Sequence, residues 1–254
     1  MLTSWLIPVG VTTAATPEER GLQIAVEADR RDSGWGDQTA DLVMILTNRH
    51  GESSRRELTL RSMEVQGDGD KSLTTFHTPR DVQGTTFLSY THVGSADDQW
   101  LYLPALKRVK RISSGNKSGP FMGSEFAYED LTSQEVEKYT YRYLRDESLD
   151  GQQCFVVERT PTYENSGYTR QIAWIDQVEY RPLKIEFYDR KEALLKTLTY
   201  QSYRQYLDRY WRAQQMHMVN HQTGKETILE WNDYTFGAGF TDRDFDQSSL
   251  KRVR

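Results

Sequence analysis

The residues best suited to chemistry are scattered along the chain, and few stand at a spacing that chemistry requires. His217 and His221 are four apart, which on a helix would turn two imidazoles toward one metal ion. Their neighbours, Gln215-Met216 and Met218-Val219, read as a strand, where four residues span about 13 Å, too far for one ion. His50, His77 and His92 are isolated and read as surface or turn histidines. Asp68 and Asp70 match the first two acidic positions of a calcium loop. Leu73 stands where that loop needs glycine, and Pro79 where it needs glutamate. Gly115-Asn116-Lys117-Ser118 resembles the end of a phosphate-binding loop, but the earlier glycine is missing and Asn116 separates glycine from lysine. Glu125, Glu129 and Asp130 would form an acid/base group if they faced a cleft. As the opening of a helix they simply complement its dipole, which is the simpler reading. The single cysteine, Cys154, excludes an intramolecular disulfide and a cysteine-based zinc site. These residues lead to the expectation of a protein with no metal and no cofactor.

Two other features are stronger. Lys107-Arg108-Val109-Lys110-Arg111 places four cations in five residues on a predicted strand. Charge of that density protects an exposed sheet edge from pairing, and it would also meet anionic headgroups or an acidic partner. Around it lie Phe87, Trp100, Tyr102, Phe121, Met122 and Phe126, of which Phe121-Met122 sits in a glycine-flanked loop. An apolar pair in such a loop needs a place to go, and the mouth of a curled sheet supplies one. Trp174, Trp211 and Trp231 follow on later strands.

The elements that would position these residues read clearly. Thr16, Pro17 and Glu19 form a helix start with a capping box. Leu22, Ala25, Val26 and Asp29 then recur at helical spacing, with Ile24 and Ala28 widening the stripe, and Gly34 and Gly36 stop the helix near Asp32. From Asp37 the period is two. Leu58 and Leu60 alternate in one phase and Met63 and Val65 in the other, which predicts a bulge between them. Further strands are predicted near 71–78, 84–93, 98–104, 107–113, 136–147, 152–160, 168–176, 181–189, 194–206, 210–220 and 225–235. Residues 114–124 form a long Gly/Ser loop, Ser124 caps a short helix to Leu131, and a last helix spans Thr241 to Leu250. Helices do not alternate with strands, so a doubly wound α/β fold is excluded and one antiparallel sheet is favoured. A sheet of about 11–13 strands must curl, close or split.

The chain has 254 residues with 37 acidic and 32 basic side chains, a net charge of −5. That balance offers no electrostatic reason to bind nucleic acid. With 12% aromatic residues the chain has ample apolar surface to bury. The mean hydropathy of −0.76 excludes a bundle of membrane-spanning helices. Leu2 to Val11 is a short apolar run followed by Thr12-Thr13-Ala14-Ala15, which reads as a truncated export signal or a tail over 1–15, with one domain over 16–254.

Two stretches carry a family resemblance. Trp100 to Ile112 (WLYLPALKRVKRI), followed by Gly123 to Leu131 (GSEFAYEDL), resembles the outer-membrane lipoprotein-sorting protein family in its LolA-like branch. Trp174-Ile175-Asp176 and Tyr180 to Asp189 are similar to a later strand pair of the same superfamily. The resemblance covers about residues 20–250. It implies a mainly β fold, an unclosed antiparallel barrel with a helical lid, and an apolar interior that holds lipid acyl chains. It also implies a periplasmic, monomeric, non-enzymatic protein that touches membranes only transiently and works beside a transporter of the RND or MMPL type.

The leading expectation is therefore a periplasmic carrier of lipid or lipoprotein acyl chains. Phe87, Trp100, Tyr102, Phe121, Met122 and Phe126 are the expected lining, and Lys107, Arg108, Lys110 and Arg111 the expected headgroup or partner contact. Loop 114–124 and the helix after it would gate entry. The alternative is an adaptor that binds such a transporter by its surface and carries no lipid. A hydrolase using Glu125 or Asp130 is the third and weakest reading; it requires two carboxylates converging in a cleft.

Overall fold

The computed structural model of the protein describes residues 14–251; the apolar run Leu2 to Val11 lies outside them. Helix α1 (Pro17–Asp32) comes first. The Thr16 hydroxyl accepts from the Glu19 amide, and the Glu19 carboxylate accepts from the Thr16 amide. The first strands are β1 (Asp37–Thr47), β2 (Ser53–Met63), β3 (Lys71–Thr78), β4 (Thr86–Tyr90), β5 (Asp98–Leu103) and β6 (Arg108–Arg111). After a long connection come β7 (Tyr139–Leu149), β8 (Gln152–Pro161), β9 (Tyr168–Asp176) and β10 (Pro182–Asp189). The chain closes with β11 (Leu194–Tyr206), β12 (Tyr210–Asn220) and β13 (Lys225–Phe236).

All thirteen strands belong to one sheet in the order β6-β5-β4-β3-β2-β1-β13-β12-β11-β10-β9-β8-β7, and every pairing is antiparallel. Sequence neighbours pair except β6 with β7, and the one non-sequential join is β1 with β13. The sheet does not close, because β6 and β7 remain its two edges. Each edge is blunted, as exposed strand edges must be. The cationic run makes β6 an edge strand, with Arg111 paired to Asp98. Against β7 lies α1: a Cβ on Gly21 would meet the amides of Arg142 and Tyr143 at 2.8 Å, so only glycine permits that approach.

Alternation sorts the side chains onto two faces. The inner face carries Leu42, Met44, Leu58, Phe76, Phe87, Leu101, Ile185, Leu198 and Leu229 in one buried cluster. On the outer face of β3–β5, Leu73, Leu88 and Trp100 pack beneath Phe245 and Leu250. The C-terminal segment covers that patch as two short 3-10 turns, Asp242–Phe245 and Ser249–Lys251, where the sequence predicts a continuous helix. This cover explains Met63. The pairing of β1 with β2 runs unbroken from Thr47–Ser53 to Asp37–Met63, so no bulge separates Leu60 from Met63. Met63 faces outward and packs against the cluster beneath Phe245.

The helix also differs from its reading. Gly21 and Ile24 are its buried positions, while Leu22 and Val26 are exposed. The buried face lies one step from the predicted apolar stripe, because the contact that decides the helix's rotation is the glycine against β7.

Candidate functional site

Residues 112–138 connect the two sheet edges and form a strap across the inside of the half-barrel. The expected helix over this strap is reduced to 3-10 turns at Phe121–Gly123, Tyr128–Leu131 and Val136–Lys138. Phe121 is almost wholly buried among Phe76, Phe87 and Tyr128, at ring-centroid distances of 5.8, 5.2 and 5.4 Å. Phe126 is buried beside it in the inner cluster. The pair in the glycine-flanked loop thus fills part of the hollow that the curled sheet leaves.

The strap is bolted to the sheet. Lys196 Nζ, from the inner face of β11, lies 2.6 Å from Asp130 Oδ2 and also donates to the Glu125 carbonyl. Tyr168 donates its hydroxyl to the other Asp130 oxygen at 2.7 Å. Glu129 accepts from the Tyr163 and Ser166 hydroxyls and the Gly167 amide; burial pushes its carboxyl up, and these three donors pull it back. Arg56 on β2 donates to the Met122 carbonyl at 2.6 Å. Asn220 on β12 donates to Glu125, and Lys117 and Lys138 both pair with Asp97. Glu125 and Asp130 are therefore engaged in holding the strap. A loop fixed by buried charge is a built-in plug, and the loose gate expected of residues 114–131 is not its geometry.

A cavity of about 950 Å³ remains between the inner face, the strap and α1. Its walls are Leu42, Met44, Leu58 and Leu60 on one side and Val157, Ala173, Ile185 and Leu198 on the other, with Phe121 and Phe126 of the strap. Helix α1 spans the mouth. Its start lies on β7, where the Arg20 guanidinium stacks 3.7 Å from the Tyr143 ring. Its end is tied to the opposite wall, where Asp32 pairs with Arg212 of β12 and Arg209 donates to the Ser33 carbonyl. Ala25 and Ala28 face the cavity, small enough to leave it open beneath the helix.

The mouth is polar. Asp70 is pushed up to about 7, first by burial and then by the neighbouring Glu135 and Glu64 carboxylates, with Ser133 donating against the trend. Among the described residues no group of three or more His, Cys, Asp or Glu is placed to hold a metal ion.

The structure separates the six expected lining residues. Phe121 and Phe126 line the cavity. Phe87 stands behind Phe121, and Met122 packs against the inner cluster. Trp100 and Tyr102 point the other way, to the outer face under Phe245 and Leu250. The reason is phase: Leu101 and Leu103 of β5 take the inner face, so their neighbours cannot. In the cationic run, Lys107 is not in the strand; it caps the preceding 3-10 turn in the left-handed region (φ 48°), and Arg108 to Arg111 form the edge. Sequence reading missed Lys196, Arg56 and Arg159. A lysine in phase with Leu198 and Tyr200, and an arginine in phase with Val157, were the available signals, since a charge on an apolar face needs a partner.

The comparisons with known proteins agree with this architecture. A family model described as "Uncharacterized protein" matches residues 68–252. No curated protein matches the chain. Among solved structures, an outer membrane lipoprotein-sorting protein domain from Vibrio parahaemolyticus is 62% identical, with a TM-score of 0.91 over 92% of this chain and 100% of that one. A DUF1329 family protein from Desulfovibrio piger is 30% identical, with a TM-score of 0.88 over 93% of this chain and 100% of that one. A LolA superfamily protein from Nitrosomonas europaea is 20% identical with a TM-score of 0.73, over 93% of this chain and 100% of that one, a likeness of fold. An unclosed antiparallel sheet with helix α1 across its mouth, matched almost end to end by relatives 62% and 30% identical, makes this chain a member of the outer membrane lipoprotein-sorting protein family.

Proposed function

We propose that the protein is a non-enzymatic periplasmic carrier that shields acyl chains inside the half-barrel and passes them between a membrane transporter and the outer membrane. The observation that carries this reading is the cavity of about 950 Å³, with apolar inner walls and a polar mouth, under a helix that roofs it only in part. Its size falls in the range of ligand sites, roughly 300–1,000 Å³. Each methylene that enters it from water contributes about 0.8 kcal/mol, so a long chain is retained without any polar contact. The bolted strap makes the far end of the hollow a fixed floor, which leaves the space beneath α1 as the way in. Arg108, Lys110 and Arg111, on the exposed edge strand, are the proposed contact for headgroups or for the partner. The likeness to a lipoprotein-sorting domain supports the same reading.

Native mass spectrometry of gently purified protein, with uptake of a fluorescent fatty acid, tests it. Co-purifying lipid and saturable uptake are expected. Clean protein that takes up no probe would sink the carrier and favour a surface adaptor.

A further inference from the structure

Three polar groups on the cavity wall have donors to spare. Arg159 sits on the inner face of β8, and the cavity reaches it. Its one hydrogen-bond partner among the described residues is neutral: Nε donates to Gln171 Oε1 at 2.6 Å. The Tyr139 ring lies 5.0 Å from its guanidinium. The fully buried lysines Lys196, Lys117 and Lys138 each face a carboxylate, whereas the half-buried Arg56 rests on the Met122 carbonyl. Tyr200, which also lines the cavity, has no hydrogen-bond partner for its hydroxyl among the described residues. The Trp231 indole N–H is buried and likewise unpartnered.

We infer that Arg159 is an anchor for an anionic headgroup, and that the ligand of this half-barrel is an amphiphile with an acidic head and an acyl chain. The inference rests on the carrier reading and narrows it. A glutamine orients the guanidinium through Nε without neutralising it. The two terminal nitrogens then remain free for a carboxylate or phosphate, which Arg binds as a two-pronged fork. A half-buried cation with no counter-charge is unfavourable when the site is empty, and an incoming anion relieves that. Tyr200 lines the same cavity as Arg159: burial pushes its hydroxyl up to about 12, Arg159 pulls it back and Asp130 pushes it up. Its hydroxyl is placed as a second donor, and the chain runs from this point along the apolar wall.

The test uses the full chain and displacement of a bound fluorescent fatty acid by palmitate, monopalmitoylglycerol, acetate and inorganic phosphate. Palmitate is expected to bind at least about tenfold tighter than monopalmitoylglycerol, the scale of a hydrogen bond to a charged group. R159Q should remove that preference, R159K should keep only part of it, and Y200F should weaken palmitate a few-fold. Equal binding of the two lipids by the native protein would overturn the anchor and leave the carrier standing; this comparison needs no variant to fold. Displacement by acetate or phosphate at palmitate's concentration would overturn it too, as the site would then take a free anion. If neither lipid binds, the carrier reading fails and the anchor fails with it.

Discussion

Lys196 Nζ and Asp130 Oδ2 lie 2.6 Å apart with both side chains 4% exposed, joining β11 to the strap inside the half-barrel. Removing either charge leaves the other buried without its counter-charge. Lys196→Met or Asp130→Leu alone should therefore destabilise the protein by about 3–5 kcal/mol, as for other buried pairs broken on one side. The double variant should recover much of that loss. Urea unfolding of the three variants measures it, and a double variant as unstable as the sum of the singles would show that the pair is not coupled.

Gly21 offers a reversal of the usual helix rule. Alanine normally stabilises a helix interior over glycine by about 1 kcal/mol. Here the added methyl would sit 2.8 Å from the backbone of Arg142 and Tyr143, so Gly21→Ala should lower stability and lift α1 from β7. Hydrogen exchange should quicken in α1 and in β7 while the β1–β13 pairing stays protected. An alanine variant as stable as the native protein would contradict the close approach.

Asp70 gives the cavity mouth a pH dependence. An exposed aspartate titrates near 4, whereas burial and the Glu135 and Glu64 carboxylates push Asp70 to about 7. Between these values the folded protein holds a proton that the unfolded chain has released, so Asp70's contribution to stability falls as pH rises across that window. Below about 4 both states carry the proton, and above about 7 neither does, so the contribution is level outside it. Melting temperatures measured from pH 4 to 8 should decline more steeply for the native protein than for Asp70→Asn, and the variant should melt higher at pH 8. Parallel curves would show that Asp70 is not shielded as described.

Ala173 tests the cavity itself. It stands on the wall between its strand partners Val157 and Ile185. Ala173→Leu places three more carbon atoms into open space, so it should lower affinity for a fatty-acid probe by about tenfold while the melting temperature holds or rises. The affinity scale follows from about 1.4 kcal/mol per tenfold, set against the apolar burial that the ligand forfeits. Unchanged affinity would place the ligand elsewhere.

Much of the molecule was legible in the chain itself, because the cues were local. Thr16, Pro17 and Glu19 set the start of α1 by contacts three residues apart. Alternation of Leu183, Ile185 and Phe187, the Asp150-Gly151 turn and the Thr223-Gly224 turn placed strands close to where they stand. Motif likeness in Trp100 to Ile112 and Gly123 to Leu131 pointed to the family. The sites of Trp100, Tyr102, Leu22 and Val26 were not legible, since a strand or helix with apolar residues on both sides does not say which side meets the cavity. That choice fell to distant partners: Phe245 and Leu250 covering the outer face, and β7 meeting Gly21. The strap's fixity was equally hidden. Lys196 and Asp130 are 66 residues apart, and only the curl of the sheet brings them together. Local periodicity thus determined the elements and their order, while the tertiary fold decided which face became the wall of the hollow and which charges were left unpaired within it.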